Sequence, residues 1–390
     1  MNKSFRLIFT LLTLFFSVKP SVAQKLKIGM LTVLPSTKVI FTPLAGNYKV
    51  WLDATLLNSE GVADVFQLSL DGDSIEVKSF ERNVGKCKKI VFEAQLKEGS
   101  FKLKSIIPEA KVKVYDNDLE VSSLQNGLRL INKVNIENYI AGVVQSEAGG
   151  HSTAEYYKLQ AILCRTYALS NLRKHEADSF NLCDQVHCQA YKGKSENPSI
   201  LSAVHETSGL VIVDDDMNLI SAAFSSNCGG QTVNSEDVWT LTASYLRGVK
   251  DTFCLRMPNA RWQKKIPRSD WLSYLYLKQK YPVDDSIRYK EALSFPQTKG
   301  REQFFADKDL KIPLKTIRSD WQLKSTYFSL EQQNDTILLN GRGYGHGVGL
   351  CQEGAMHMAQ MGTSYKDIIN FYYTKVHLVD LTVLNFLKED

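Results

Sequence analysis

The sequence predicts an α+β protein, on three observations. Short β-branched runs separated by turn dipeptides occupy the early part of the chain. A long helical pattern with start signals follows near residue 153. Beyond it, helices mix with antiparallel-looking strands rather than alternating as regular strand–helix units.

The first residues read as a transport signal. Lys3 and Arg6 precede an apolar run from Leu7 to Val18, and Ser21-Val22-Ala23 offers small residues for cleavage. Residues 1–23 are therefore expected to be a secretory signal peptide, and the protein is expected to be exported to the periplasm or cell envelope. The earliest cysteine is Cys87, so no lipid anchor is expected at the cleavage site, and no later apolar run is long enough to cross a bilayer. Cleavage removes Lys3, Arg6 and Lys19 but no acid, which takes the formal net charge from +5 to +2. That near-balance gives no footprint for nucleic-acid binding.

Residues 24–126 form a strand-rich N-terminal region. Lys38 to Thr42 and Lys111 to Tyr115 are typical of its β-branched runs, and Asp-Gly, Glu-Gly and Asn-Asp mark its turns. Residues 127–390 form the mixed core, with a boundary near residue 126. The clearest helix is predicted from about Thr153 to Lys174, with Ser152 and Glu155 in capping-box spacing. Asn197-Pro198 starts a further helix that Gly209 ends. Leu210–Val213, Asp214–Asp216 and Leu219–Phe224 read as strand, turn and strand. Helical patterns flank Gly362, the second capped by Thr363 or Ser364.

Several residues carry chemistry. Glu147 is placed in a loop ahead of the 153 helix, beside Gly149 and Gly150, whose lack of side chains would admit a bulky substrate. A general acid at that point needs desolvation to keep its proton, whereas a nearby helix N-terminus would favour the anion. On residue type alone, an ordinary surface or capping carboxylate is the favoured reading of Glu147. His175, Cys183, His187 and Cys188 have the ligand composition of a closed Cys2His2 zinc site, which is structural because no position is open to water. The alternative is a Cys183–Cys188 disulfide with two uninvolved histidines.

Seven cysteines in an exported chain leave an odd one. Cys228 and Cys254 could pair, Cys164 suits a buried helix position, and Cys87 and Cys351 have no assigned role. Gly341 to Gly349 alternates glycine with larger residues, fits neither the dinucleotide nor the P-loop fingerprint, and permits close crossing by ligand or backbone. His346 within it is either a cleft residue or a satisfied core histidine. Ser225 to Gly230 with Trp239 suits a sugar platform or a structural loop.

In this order the pieces resemble the sporulation stage II protein D (SpoIID/LytB) family of bacterial envelope proteins. The resemblance is densest from Leu130-Ile-Asn132 through Ile136-Glu-Asn-Tyr-Ile140 to Gly142-Val-Val-Gln-Ser-Glu147. It continues in Gln160-Ala161, Arg165-Thr166-Tyr167-Ala168, Cys188-Gln-Ala-Tyr191, Cys228-Gly-Gly230, Glu236-Asp-Val-Trp239 and Tyr245-Leu-Arg-Gly248. It ends in Gly343-Tyr-Gly-His-Gly-Val-Gly349 with Gln352, Gly354 and Ala355. Residues 256–314 match little and read as an insertion, Ala148-Gly149 stands where relatives often carry Met-Pro, and Cys164 replaces a usual Ala.

The resemblance implies a peptidoglycan lytic transglycosylase with Glu147 as its single acid and base. It also implies structural zinc on His175, Cys183, His187 and Cys188, and glycan contacts or cleft shaping by Tyr191, His346 and Gln352. The partners it implies are peptidoglycan glycan strands and a cell-wall amidase. The alternative it carries is a non-catalytic, wall-binding enhancer of an N-acetylmuramoyl-L-alanine amidase. A zinc hydrolase is a third reading.

Overall fold

The computed structural model describes residues 25–57, 64–80, 83–96, 98–297, 300–305 and 310–388. The expected signal segment lies outside them. The α+β expectation holds. The N-terminal strands build two antiparallel layers, one ordered Lys113–Asp116, Ser100–Ile107, Lys38–Ala45, Phe66–Asp71, Ser74–Ser79, Asn83–Cys87. Period-two alternation puts Val39, Phe41, Leu68, Ile75 and Val77 on its inner face. Phe41 stacks on Phe92 of the other layer with ring centroids 3.9 Å apart, so the two sheets share a dry core.

The second layer runs Leu182–Cys183, Lys25–Met30, Gly127–Asn135, Asp118–Leu124, Lys89–Ala94, Tyr48–Leu52, Thr55–Leu56. Two features of it position the site. Leu182 and Cys183 add to its edge, parallel to Ile28 and Gly29. Residue 126 lies in the turn joining the paired strands Asp118–Leu124 and Gly127–Asn135, and the latter strand runs straight into a helix.

That helix, α1 (Ile136–Ala148), has Asn135 as its cap, the side-chain oxygen accepting from the Glu137 amide at 2.8 Å. Ile136, Tyr139, Ile140, Val143 and Val144 form its buried stripe. Glu147 therefore sits in the last turn of a helix and not in a loop ahead of one. Helix α2 (Ala154–Ser170) follows, packed on α1 and on α3 (Pro198–Glu206). The Ser152/Glu155 capping box does not form. Thr153 is the cap, and Glu155 instead accepts from the Tyr365 amide and pairs with Lys158. Asn197 caps α3 through the Ser199 and Ile200 amides. Ser364 caps the helix Tyr365–Tyr372.

Leu210–Asp214 is a strand whose full-length partner is Val376–Asp380; against 219–224 it makes only a short turn pairing, Val213 bridging Leu219 and the Ile220 amide donating to the Ile212 carbonyl. Of the expected second strand only a bridge at Leu219 and the short strand Phe224–Ser225 appear. A separate hydrophobic core gathers Trp262, Trp271, Phe305, Ile312, Ile317, Phe328 and Leu339 around the strands Arg261–Pro267, Thr336–Arg342, Phe328–Gln333 and Ser294–Phe295. Among the described residues no helix is long and apolar enough to cross a membrane.

Candidate active site and metal centre

Helix α1 is fixed at both ends. At its start, Arg165 of α2, wholly buried, donates from Nε to Glu137 Oε1 at 3.0 Å and from Nη2 to Oε2. The same guanidinium donates to the carbonyls of Leu210 and Val204, tying three helices and a strand to one charge. Along its length α1 carries a strap, residues 189–195. Lys192 N–H donates to Ser146 Oγ at 3.1 Å, Ser195 Oγ donates to Gln145 Oε1 at 3.3 Å, and Tyr139 OH donates to Gln189 Oε1 at 3.3 Å. The approach is so close at Gly142 that a Cβ there would meet the Gly193 carbonyl and the Tyr191 ring.

Glu147 stands where helix and strap meet. It is half-buried, and the Ala190 amide donates to its Oε1 at 3.0 Å. Burial pushes the carboxyl above the ordinary glutamate range, with the Ala190 amide and the Lys192 ammonium pulling back. The helix field adds to the upward push, because the C-terminal end of α1 is its negative pole. This reverses the sign expected when Glu147 is placed ahead of a helix. Both effects favour the protonated form relative to a solvated glutamate.

Cys188, two residues before Ala190, immediately precedes the strap. His175, Cys183, His187 and Cys188 each offer a ligand atom within 4.8 Å of the others. His187 Nδ1 lies 3.8 Å from Cys183 Sγ and 3.9 Å from Cys188 Sγ. Tetrahedral zinc with Zn–S bonds of about 2.3 Å and Zn–N bonds of about 2.0–2.1 Å separates a nitrogen from a sulfur ligand by about 3.6 Å. His175 Nε2 is buried with no hydrogen-bond partner, and its Nδ1 faces Asp178 Oδ2 at 2.9 Å. An orphaned ring nitrogen backed by a carboxylate is the arrangement of a metal-binding histidine. Cys183 and Cys188 are unbonded thiols. Lys174 Nζ, donating to the His187 carbonyl at 2.6 Å, brings a cation beside them. The donor set thus fits zinc. Asp178, Lys174 and the Ala190 amide are participants that the sequence did not single out. The Asp three residues after His175 was the available signal for one of them.

The remaining expected site residues are placed differently. Tyr191 is wholly buried, its hydroxyl given to Asn132 Oδ1 at 3.1 Å, so it shapes the strap from behind and presents nothing to solvent. Gln352 is buried at the start of the helix Gln352–Gln360, with an unpartnered Nε2. His346 lines a cleft of about 240 Å³ together with Glu236, Trp239, Gln303, Arg318 and Thr326. Glu147 does not line that cleft. Val348 N–H donates to His346 Nδ1 at 3.1 Å, which places the ring proton on Nε2, where it is given to the Phe224 carbonyl at 3.0 Å. Burial pulls its pKa to about 4, so His346 is a neutral, fully bonded ring. Trp239 lies against it, centroids 5.3 Å apart, and offers an exposed aromatic face. The alternating glycines serve the protein's own backbone: Gly343 is crossed by Asn227–Gly229 and Gly349 by the Ala223 carbonyl, both at positive φ.

Comparison with known proteins places this architecture. The SpoIID family (Stage II sporulation protein) matches residues 124–213, which span α1, α2, the His175, Cys183, His187 and Cys188 set and α3. An uncharacterized protein of Brachyspira hyodysenteriae is 31% identical over 264 residues, 66% of this chain and 70% of that protein. Stage II sporulation protein D of Bacillus subtilis is 30% identical over 262 residues, 62% of this chain and 74% of its own length. The chain belongs to the SpoIID family. The amidase enhancer of Bacillus subtilis is 28% identical over 286 residues, covering 60% of this chain but only 39% of that protein.

Proposed function

We propose that this SpoIID-family protein is an exported lytic transglycosylase of peptidoglycan glycan strands, with Glu147 as its acid and base. The observation that carries the reading is a carboxyl raised by burial at the negative end of α1 and held by a single amide donor. In the first half of the reaction the Glu147 carboxyl gives its proton to the bridging oxygen as the bond from MurNAc C1 breaks. GlcNAc then leaves with a free 4-hydroxyl. The resulting carboxylate takes the proton of the MurNAc C6 hydroxyl while that oxygen bonds to C1. The product is a 1,6-anhydro end, no water is consumed, and the carboxyl is restored. Because the nucleophile belongs to the substrate, the paired carboxylates of an ordinary glycosidase are not required. Trp239 and the cleft beside His346 offer a face for the flanking sugars.

His175, Cys183, His187 and Cys188 hold a structural zinc in this reading. A four-ligand ion polarises no substrate and serves to fix the loop that ends at Ala190. Its consequence for Glu147 is positional, through the amide two residues beyond Cys188. The likeness to the amidase enhancer favours one second reading, a wall-binding protein that stimulates an amidase without cutting glycan. Mass spectrometry of peptide-free glycan strands incubated with residues 24–390 separates the two. Anhydro-ended fragments from the wild type and none from Glu147→Gln support the transglycosylase. Binding without fragments from either protein overturns it in favour of the enhancer.

A further inference from the structure

Far along the chain from the Cys2His2 set, Cys228, Asp251, Cys254 and Cys351 converge. Their ligand atoms lie within 4.8 Å of one another and all four residues are fully buried. Cys228 Sγ is 3.5 Å from Cys254 Sγ and 3.2 Å from Asp251 Oδ2. None of the three cysteines is in a disulfide. We propose that Cys228, Asp251, Cys254 and Cys351 form a second, structural site for a thiophilic divalent cation, Zn2+, independent of the His175 cluster and of the reaction assigned to Glu147.

Three arguments bear on this assignment. The first is composition: three sulfurs and one carboxylate oxygen make a closed four-donor set, and thiolate-rich sets select zinc over hard cations such as Mg2+ or Ca2+. The sulfur separation also lies near the roughly 3.8 Å edge of a zinc–thiolate tetrahedron.

The second is the surrounding shell, because three thiolates, one carboxylate and Zn2+ leave two negative charges that burial makes costly unless donors face them. Such donors are present. The Cys228 and Gly354 amides both donate to Cys351 Sγ, at 3.2 and 3.4 Å, the latter from the positive end of the helix Gln352–Gln360. Asp251 Oδ1 accepts from the Phe253 and Cys254 amides, and Oδ2 accepts from Tyr372 OH at 2.9 Å. Ligands oriented by outer hydrogen bonds of this kind are typical of metal centres.

The third is what the site joins. It links the loop after Phe224–Ser225, the turn at Asp251–Cys254, and the end of the glycine-rich segment whose backbone Asn227–Gly229 crosses. An ion there would tie together these three segments, the first of which follows Phe224, whose carbonyl faces His346.

The test uses full-length protein recovered from its exported compartment without chelators. Elemental analysis should find about two zinc equivalents per chain. Cys351→Ala or Asp251→Ala should lower this to about one, and Cys183→Ser/Cys188→Ser should remove the other independently. Should the first two variants fail to fold, zinc absorption fine structure on the wild type decides: five cysteine sulfurs over two ions give about 2.5 sulfurs per zinc, against two for the His175 site alone. One equivalent that vanishes in Cys183→Ser/Cys188→Ser overturns the proposal. So does a peptide map showing Cys228 oxidised to Cys254.

Discussion

Glu137→Ala tests the anchoring of α1 most sharply. Arg165 has no exposed side-chain surface, and Glu137, a quarter exposed, is its only charged partner among the described residues. Truncation leaves a buried guanidinium with only the Leu210 and Val204 carbonyls. Removing one member of a buried pair costs about 3–5 kcal/mol. The two remaining acceptors and the opening that truncation leaves to water put the value at the low end, about 3 kcal/mol. Glu137→Gln keeps one acceptor and loses the charge, for a cost on the order of 1.5 kcal/mol. Urea unfolding followed by circular dichroism and tyrosine fluorescence gives these numbers, with coincidence of the two probes as the check on a single transition in a protein with two cores. The double variant Glu137→Leu/Arg165→Met should lose less than the sum of its singles by about 1–3 kcal/mol, since neither then strands a charge. A Glu137→Ala protein within about 0.5 kcal/mol of wild type, or strict additivity in the cycle, would refute the reasoning.

Other outcomes follow from the same geometry. Gly142→Ala should destabilise by about 1–3 kcal/mol through overpacking against Gly193 and Tyr191, read as a fall in urea midpoint with unchanged slope. Glu147 has a folded pKa above its unfolded value, so the folded state binds the extra proton. Its contribution is present below the unfolded pKa and is lost as pH rises through the folded one. Glu147→Gln should accordingly flatten the decline in stability over that window, and the proposed glycan cleavage should fall over the same rise in pH. His346 should show no titration between pH 5.5 and 8 in nitrogen-15 spectra and should keep its proton on Nε2, since burial holds its pKa to about 4. An imidazolium signal at pH 6 would refute that.

Much of the fold was legible because its signals are local. Period-two alternation marked the N-terminal sheets, and Asn197-Pro198 marked α3. What the sequence reading lacked was α1, the element that decides the electrostatics of Glu147. Its signal was nonetheless present: Ile136, Tyr139, Ile140, Val143 and Val144 repeat at helical spacing behind an Asn cap. Those β-branched and aromatic residues suit strands as well, and the preceding nine-residue strand runs into them without a break. The Ser152/Glu155 box misled for a different reason. Glu155 is claimed by the Tyr365 amide, 210 residues away, a partner that no local pattern contains. Leu210–Asp214 likewise takes its long partner from Val376–Asp380, which no local pattern contains, and meets 219–224 only at Leu219 and Ile220.

The candidate site divides along the same line. The candidate Cys2His2 set was readable because three of the four residues fall within six positions, so the loop between Cys183 and Cys188 brings them together at little chain cost. The cluster at Cys228, Asp251, Cys254 and Cys351 spans 124 residues, and its last member sits beyond an entire second core, so spacing alone gave Cys351 no role. Tyr191 shows the converse. Its motif is dense with site residues, yet sequence order cannot say which face of a strap a side chain takes. The Gly142 gap draws the ring inward against α1, and the catalytic assignment then rests on the backbone of its neighbour: Ala190 acts through its amide, which any residue except proline would supply. Ala190→Pro removes that donor while keeping position 190 apolar, and should raise the Glu147 pKa further, shifting the basic limb of the proposed glycan cleavage upward. An unshifted limb in a folded Ala190→Pro protein would mean that burial alone sets the proton on Glu147.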